Sequence, residues 1–324
     1  MATPQFTIVI PMYRSTKVLP DTLAALYSLD TSAWECILVD DGSPDNTVDV
    51  ATSLTRHDSR FKVIGLPDAH GSACPARNIG AANAHPESRY ILFLDHDDLL
   101  HPDALTHMSY LLDQHPNHAA VHGTALLYQA TDPDYRLGAE RRIYRNRRIE
   151  LLHPDEETTF ESMATLPHIP APGTVLCRLS DKIRSGLFPD GRLGQLDYDG
   201  WLRLLIDGNF IFSPHPVLTK RHIGGNMIGN LRNVRKRILN TRIRTSQRPE
   251  ISPSQRRYLF TAGAANELFE SLQLLKFAIH KAKPRQLIQV IGRIEMAARL
   301  AAHCMGTQRL ACNVQVQRPT HRES

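Results

Sequence analysis

Four short apolar runs alternate with helical patterns over the first 125 residues, and this rhythm constrains the fold more than any other feature. Apolar residues at helical spacing follow the runs, as Leu19, Leu23 and Leu26 follow the first. Alternating strands and helices predict an α/β protein with a mostly parallel sheet, right-handed crossovers and flanking helices. The expected strands are residues 6–11, 34–39, 61–66 and 90–94.

Polar residues follow three of these runs at the point where each strand is expected to end. Tyr13 comes after the first run, Asp40 and Asp41 come after the second, and the sequence DHDD at 95–98 comes after the fourth. Ligands of open α/β sheets bind at the carboxyl ends of the strands. We therefore expect these side chains to line one site at one edge of the sheet.

The carboxylates of Asp95, Asp97 and Asp98 carry the strongest single signal. Carboxylates packed so closely repel one another unless a cation neutralises them, and hard divalent cations prefer oxygen ligands. Asp95 and Asp97 share a face of an extended segment, whereas His96 points away. A helix cap is the alternative interpretation, because an acid before Leu99 also suits a helix N-terminus. The motif by itself leaves both interpretations open.

Four further candidate site residues each have a structural alternative. Tyr13 can stack on a base or serve as a core or rim aromatic. Asp41 can accept from a base N–H or a ribose hydroxyl, or it can close a turn. Arg77 can contact a nucleotide or lie on a helix surface. Asp197, near an apolar helix face, can act as a general base or as a helix N-cap.

The composition excludes several classes of protein. The 324 residues are 42% hydrophobic, enough for a sizeable core. No run approaches the roughly 20 apolar residues of a membrane helix, and the start of the chain does not predict a signal peptide. The five scattered cysteines form no CxxC pair. They argue against a zinc knuckle or a disulfide framework and favour a reducing, cytoplasmic location.

A stretch without acidic residues, 208–249, contains nine lysines and arginines. It is either a solvated helix face or a contact for phosphates. The phosphates would belong to a donor, to a lipid-linked acceptor or to the inner face of the membrane, and the membrane contact would be made through 232–248. Nucleic acid is disfavoured, because no aromatic residues are interleaved and no binding motif is present. Residues 258–282 and 286–303 are helix candidates whose apolar faces require burial by docking, by a homo-oligomer or by a membrane.

Five segments together resemble the family 2 glycosyltransferases with the GT-A fold. They are TIVIPMY at 7–13, ILVDDGSPDNT at 37–47, ARNIGA at 76–81, YILFLDHDD at 90–98 and LDYDGWLRLL at 196–205. The resemblance covers residues 5–228 and is carried by the set rather than by any one motif. It implies a catalytic domain over 1–228, followed over 229–324 by a basic segment and a helical C-terminal region.

The resemblance also implies the chemistry. It implies an inverting transfer of a sugar from a nucleotide diphosphate donor, a UDP-sugar first among them, with Mn²⁺ or Mg²⁺ as cofactor. The acceptor would be a hydroxyl of a glycan, a lipid-linked molecule or a small molecule, in polysaccharide or glycoconjugate synthesis. The implied roles are base and ribose contacts for Pro11, Tyr13 and Asp41, nucleotide or diphosphate contact for Arg77, ribose and sugar contact for Asp95, metal binding for Asp97 and His222, and general base for Asp197.

Two departures from the family pattern favour an alternative function. Leu196 replaces the usual glutamate, and Gly200 stands where a bulkier apolar residue is usual. The alternative is a degenerate sugar-nucleotide-binding or scaffold protein without transfer activity. Asp199 and Arg203, four residues apart in the same segment, predict an exposed ion pair. Other enzyme classes are disfavoured, because 11–19 contains no glycine for a phosphate loop and no GxGxxG follows the first strand.

Overall fold

The computed structural model describes residues 3–129, 141–143, 157–165, 167–189, 196–222 and 231–261, with single positions at 264, 294, 297 and 298. The chain divides into two compact units. One comprises Met1–Phe160 and His168–Gly229, and the other comprises Glu161–Pro167 and Asn230–Ser324. The strands and the residues of the candidate site belong to the first unit.

Ten strands of the described residues form one sheet. They are β1 Phe6–Met12, β2 Trp34–Asp40, β3 Phe61–Gly65, β4 Tyr90–Phe93, β5 Leu99–Leu100, β6 Ala120–Gln129, β7 Arg141–Ile143, β8 Glu157–Thr158, β9 Val175–Arg178 and β10 Phe210–His222. The order is β3-β2-β1-β4-β9-β6-β10-β5, with β7 on β6 and β8 on β10. The four expected N-terminal strands are all present within one residue of their predicted starts and ends.

Strand direction brings the functional ends to one edge of the sheet. β1 pairs parallel with β2 and β4, and β2 pairs parallel with β3. β9 is antiparallel to both of its neighbours, β4 and β6, and β10 is parallel to β6. The sheet is thus mostly parallel, as predicted, and β10 ends at the same edge as β1, β2 and β4.

The helices, in chain order, are α1 Leu19–Tyr27, α2 Thr47–Thr55, α3 Ala73–Ala82, α4 Ala104–Gln114, α5 Phe160–Thr165, α6 Asp181–Arg184, α7 Leu196–Leu204 and α8 Leu231–Ser246. The helices of the first unit lie on both faces of its sheet, whereas α8 and all of α5 except Phe160 belong to the second unit. Because side chains alternate along a strand, Leu38 of β2 packs in the core with Leu23 of α1, while Val39 packs with Ala76 of α3. Gly80 lets α3 approach β1, since a Cβ there would lie 2.3 Å from Cγ1 of Val9.

The second unit contains α8 and a further helix over 253–261. Within this unit Arg242 is only 3% exposed, and its guanidinium donates to the carbonyl oxygens of Ala164 at 2.7 Å and Thr165 at 3.3 Å. Arg242 therefore belongs neither to a solvated face nor to a phosphate contact. Most of the two predicted C-terminal helices, 258–282 and 286–303, lies outside the described residues. Within the described part of the chain, no helix has the length and apolar character needed to cross a membrane.

Candidate active site

The acidic turn at the end of β4 brings three carboxylates together. The N–H of Asp98 donates to the carbonyl of Asp95 at 3.1 Å, which closes the turn. Carboxylate oxygens of Asp95, Asp97 and Asp98 then lie within 4.8 Å of one another. His96 turns aside, with Nδ1 3.2 Å from the carbonyl oxygen of Pro11. The helix-cap interpretation of Asp98 is wrong, because α4 begins only at Ala104 and Asp98 is buried in the cluster.

Asp98 is the carboxylate of this cluster whose ionisation is most strongly disfavoured. Its Oδ1 accepts the backbone N–H of Arg221 at 3.1 Å, but its buried Oδ2 accepts no hydrogen bond, and Nζ of Lys220 lies 3.9 Å from it. Burial raises the pKa of Asp98 to about 8, and burial together with the charge of Asp95 raises the pKa of Asp97. Three clustered carboxylates, with one buried oxygen that accepts no hydrogen bond, fit a hard divalent cation.

Arg77 holds the third carboxylate in its charged form. This arginine of α3 is 6% exposed, and its Nη2 donates to Oδ1 of Asp95 at 2.6 Å. Burial acts to raise the pKa of Asp95, but the charge of Arg77, that of Lys220 and the hydrogen bond from Arg77 outweigh it and leave the pKa below its usual value. The helix-surface alternative for Arg77 is thereby wrong.

Two basic residues at the end of β10 complete the cluster. Burial lowers the pKa of Lys220, but the carboxylates of Asp98, Asp95 and Asp97 outweigh it and raise the pKa above its ordinary value. Arg221 belongs to the same strand and is 3% exposed. In the sequence, both residues are recognisable only as part of a basic stretch. Their place in the site follows from their position at the end of a strand parallel to β4, which no local pattern indicates.

The guanidinium of Arg221 joins the acidic turn to helix α1. Its Nε donates to the carbonyl oxygen of Asp97. Its Nη1 donates to Oδ2 of Asp21 at 2.8 Å, and its Nη2 donates to the carbonyl of Val18 at 3.2 Å and to Oγ1 of Thr22 at 3.1 Å. One nitrogen of this buried fork therefore holds the backbone of the acidic turn, and the other two anchor the fork to α1 and the residue before it.

Asp41 follows β2, and its carboxylate organises the loop before α3. It is 4% exposed and accepts the backbone N–H groups of His70 and Gly71 at 3.1 Å, while Nδ1 of the His70 ring lies 2.7 Å away. Gly42 permits this approach, because its φ is +64° and a Cβ there would lie 2.5 Å from the carbonyl carbon of Asp68. Asp41 thus shapes the loop with the same carboxylate that was expected to contact a nucleotide.

The end of β1 presents one exposed aromatic ring. Tyr13 is 40% exposed, and the guanidinium carbon of Arg14 lies 5.4 Å from its ring centroid. Pro11 is buried within β1. The exposure of Tyr13 excludes a core aromatic and fits both a stacking surface and a rim aromatic.

Helix α7 carries Asp197 in its first turn. The side chain is half-buried, Oδ1 accepts the N–H of Tyr198 at 2.9 Å, and its negative charge acts on both Arg77 and Lys220. Asp199 in the same helix is fully buried, so the exposed position predicted for it is wrong. The side chains of His222 and Leu196 lie outside the described residues. The predicted metal role of His222 therefore stays a prediction.

A family model matches this chain over half its length. The model for glycosyl transferase family 2 covers residues 7–168, which include every strand-end feature up to the acidic turn. The chain belongs to glycosyl transferase family 2. Membership confirms the family predicted from the motifs, and with it the class of enzyme, a glycosyltransferase.

Curated relatives of this family 2 member match shorter segments. An uncharacterized glycosyltransferase of Haemophilus influenzae is 32% identical over 116 residues, which is 36% of this chain and 45% of that protein. TarS of Staphylococcus aureus, named a poly(ribitol-phosphate) beta-N-acetylglucosaminyltransferase, is 26% identical over 151 residues, which is 43% of this chain and 26% of TarS. The chain thus spans less than half the length of these relatives.

Solved structures confirm the fold. TarS 1–349 in complex with UDP-GlcNAc superposes with a TM-score of 0.63 at 16% identity, covering 92% of this chain and 83% of that one. The mannosyltransferase PcManGT of Pyrobaculum calidifontis, in complex with GDP-Man and Mn²⁺, gives 0.56 at 15% identity and covers 92% and 87%. The family 2 glycosyltransferase described here therefore has the GT-A type fold predicted from its motifs.

Proposed function

We propose that this family 2 glycosyltransferase moves a sugar from a nucleotide diphosphate donor, a UDP-sugar first among them, to an acceptor hydroxyl with inversion at the anomeric carbon. One observation carries the proposal. The three carboxylates of the acidic turn lie together at one edge of the sheet, where Arg77 pairs with Asp95 at 2.6 Å and Nζ of Lys220 lies 3.9 Å from Asp98. The negative charge of the half-buried Asp197 acts on both of these cations. Transfer of a sugar from a diphosphate needs charge stabilisation and a base in one place.

The strand ends support a nucleotide donor. Tyr13 offers an exposed ring for a base, and Asp41 with Gly42 shapes the adjacent loop for the base and ribose. Pro11 lies beside them in β1, and Asp95 and Arg77 lie one strand further along, where a diphosphate and sugar would follow. Solved neighbours hold UDP-GlcNAc in TarS and GDP-Man in PcManGT, which favours a nucleotide sugar without choosing the base.

The acidic turn supports a divalent cation held chiefly by Asp97. Mn²⁺ or Mg²⁺ bound there would supply positive charge to the departing diphosphate oxygens. Oδ2 of Asp98 is buried without a hydrogen-bond partner, and the charges of Asp95 and Asp97 add to the cost of ionising this carboxyl group, a cost that a bound cation would offset. Lys220 would bring a further positive charge to the departing diphosphate oxygens. His222 at the end of β10 would contribute to holding the cation or the diphosphate.

Asp197 supports the base step. Its carboxylate takes the proton of the acceptor hydroxyl while the hydroxyl oxygen forms a bond to the anomeric carbon. The bond from that carbon to the diphosphate oxygen breaks on the opposite face, and the electron pair leaves with the diphosphate. The transition state resembles the oxocarbenium ion of glycoside hydrolysis.

The wider role is proposed from the relatives and from the basic segment. A transferase for a glycan, lipid-linked or small-molecule acceptor in polysaccharide or glycoconjugate synthesis fits the polymer named for TarS. We propose a catalytic domain over 1–228 and a basic, helical region over 229–324. That region would contact the inner face of the membrane through 232–248 or form a homo-oligomer through its helices, with the protein in the cytoplasm.

A thermal-shift panel of nucleotide sugars, each with and without Mn²⁺, tests the proposal. A ligand that binds only the folded state raises the melting temperature by mass action. We expect selective stabilisation by one donor. Asp97→Asn should abolish the Mn²⁺-dependent part, and Asp49→Asn at an exposed position of α2 should leave it unchanged.

Release of nucleotide from the selected donor then separates an enzyme from a degenerate binding protein. Asp197→Asn should bind the donor as the wild type does but lose turnover by at least about 100-fold, since a general base contributes that much. Binding without turnover in the wild type, for every acceptor tried, would favour the degenerate protein suggested by Leu196. Unchanged turnover in Asp197→Asn would remove Asp197 from the base role.

A further inference from the structure

The ring of Phe188 lies so close to Gly200 that there is no room for a side chain at position 200. A Cβ on Gly200 would lie 2.8 Å from both Cδ1 and Cε1 of Phe188, and 3.6 Å from Cγ of Leu187. Ordinary contacts of a Cβ begin near 3.4 Å, so a methyl group there lacks about 0.6 Å of space. Helix α7 can take its place only because this residue is glycine.

Phe188 has no room to retreat from α7. Its ring meets Phe93 edge-on at 4.8 Å between centroids and Trp201 at 5.8 Å, and all three residues are buried. The amide of Asn78 holds the Phe188 backbone in both directions, donating to its carbonyl at 2.8 Å and accepting its N–H at 3.0 Å. A larger residue at position 200 must therefore displace α7 rather than the ring.

The last turn of α7 is held as well. Nη1 of Arg203 donates to the carbonyl oxygens of Gly186 at 2.8 Å and Leu187 at 2.6 Å, in the segment just before Phe188. A displacement at Gly200 is therefore passed to the first turn. Asp197 lies there, three residues before Gly200 and so on the neighbouring part of the same helix face.

We propose that Gly200 and Phe188 are positioning residues that set the reach of Asp197 towards the donor, a role that rests on the proposed base function of Asp197. The guanidinium carbon of Arg77 lies 5.3 Å from the centroid of the Phe188 ring, so the ring separates the donor-side arginine from the helix of the base. A shift of about 1 Å in a reacting group can cost about 100-fold in rate. The glycine that departs from the family pattern is thus the complement of this phenylalanine, not a sign of lost function.

A size-exchange experiment tests the pairing. We expect Gly200→Ala to lower kcat by about 10- to 100-fold while the donor KM changes by less than about threefold. Adding Phe188→Leu to Gly200→Ala should restore kcat at least about tenfold, because the smaller side chain returns the missing space. The assay is release of UDP from UDP-GlcNAc with Mn²⁺, or from the donor that the panel selects.

Gly123→Ala is the matched control for steric strain. A Cβ on Gly123 would also meet a neighbour at 2.8 Å, the Cγ2 of Val217, but near the start of β6 and away from the carboxyl edge of the sheet. It should lower the melting temperature and leave kcat of the folded protein within about twofold of the wild type.

Crystal structures of Gly200→Ala and of the double variant provide a readout that needs no turnover. We expect the Asp197 carboxylate to move away from Arg77 in the single variant and to return in the double variant. An unmoved carboxylate, an unchanged kcat in Gly200→Ala, or a loss that Phe188→Leu does not recover would overturn the pairing. Failure of the base function would appear separately, as full turnover in Asp197→Asn.

Discussion

Arg77 of α3 and Asp95 at the end of β4 form a 2.6 Å ion pair in which the arginine side chain is 7% exposed and the aspartate side chain 26% exposed. The pair joins α3 to the turn after β4, and residues 83–89 separate α3 from β4 in the chain. It also keeps Asp95 ionised. Of the three clustered carboxylates, Asp95 alone has a pKa below its ordinary value, whereas the pKa values of Asp97 and Asp98 are raised.

Replacing Arg77 by methionine should therefore destabilise the fold. Breaking a buried pair from one side costs about 3–5 kcal/mol, and the partial exposure of Asp95 reduces this to about 2–4 kcal/mol. Urea unfolding measures the loss. Arg89→Met is the control, because its 2.7 Å pair with Asp113 is 55% and 40% exposed and should cost less than about 1 kcal/mol. Equal losses in the two variants would contradict the structural role of Arg77.

Arg221 should control affinity for the cation proposed on the acidic turn. Lysine at this position keeps the charge but cannot reach Asp97, Asp21 and Thr22 together, because it lacks the planar fork. We expect Arg221→Lys to weaken Mn²⁺ binding by about 10- to 100-fold, as loss of a residue that orients metal ligands does. Isothermal titration with Mn²⁺ measures the dissociation constant.

Asp21→Asn provides the comparison for Arg221. It alters only the outer end of the fork, since the Asp21 side chain is 55% exposed, and should change Mn²⁺ affinity by less than about threefold. Wild-type affinity in Arg221→Lys would show that the carboxylates hold their geometry without the fork.

The parallel part of the sheet was predictable because its strands are buried on both faces. Ile8, Val9 and Ile10 are all fully buried, so β1 appears in the sequence as an unbroken apolar run. The place of β9 in the sheet and its direction were not predictable in this way. Its antiparallel insertion between β4 and β6 depends on pairing with residues far away in the chain, which a local pattern does not encode.

Site residues that directly follow a strand were predictable from the sequence. Site residues that depend on contacts between distant segments of the chain were not. Asp95, Asp97 and Asp98 stand directly after an apolar run, but Arg221 contacts Asp98 across 123 positions of sequence. Gly200 stood out as a departure from a family pattern, yet its meaning depends on Phe188 in an irregular segment. Such complementarity becomes visible only when both partners have coordinates.

Gly42→Ala should strain the loop that Asp41 holds. The φ of +64° is unfavourable for alanine, and its Cβ would lie 2.5 Å from the backbone carbon of Asp68 and 2.6 Å from the nitrogen of Ala69. We expect a loss of about 1–3 kcal/mol in unfolding free energy and weaker stabilisation by nucleotide. Gly65→Ala, whose Cβ would meet Val48 at an ordinary 3.7 Å, should change stability by less than about 0.5 kcal/mol. Equal effects would contradict the strain argument.

The stability of the fold should fall in mild acid because of a buried histidine away from the acidic turn. His122 of β6 is fully buried, its Nε2 lies 2.8 Å from Oγ1 of Thr158, and that oxygen lies 3.1 Å from Nε2 of His168. Burial, with a smaller contribution from His168, lowers the pKa of His122 well below its ordinary value of 6.5. The unfolded chain therefore takes up a proton at this position below about pH 6.5, while the folded protein does not.

The resulting slope has a definite sign and limit. Unfolding free energy should decrease as the pH falls from about 6.5 towards the lowered pKa, by up to about 1.4 kcal/mol per pH unit for this one group. Urea unfolding between pH 7.5 and 5.0 measures it, and His122→Gln should flatten the curve over that window. His57→Gln, at an exposed position, should leave the slope as it is in the wild type. If His122→Gln and the wild type lose stability in parallel, the acid sensitivity arises from other groups.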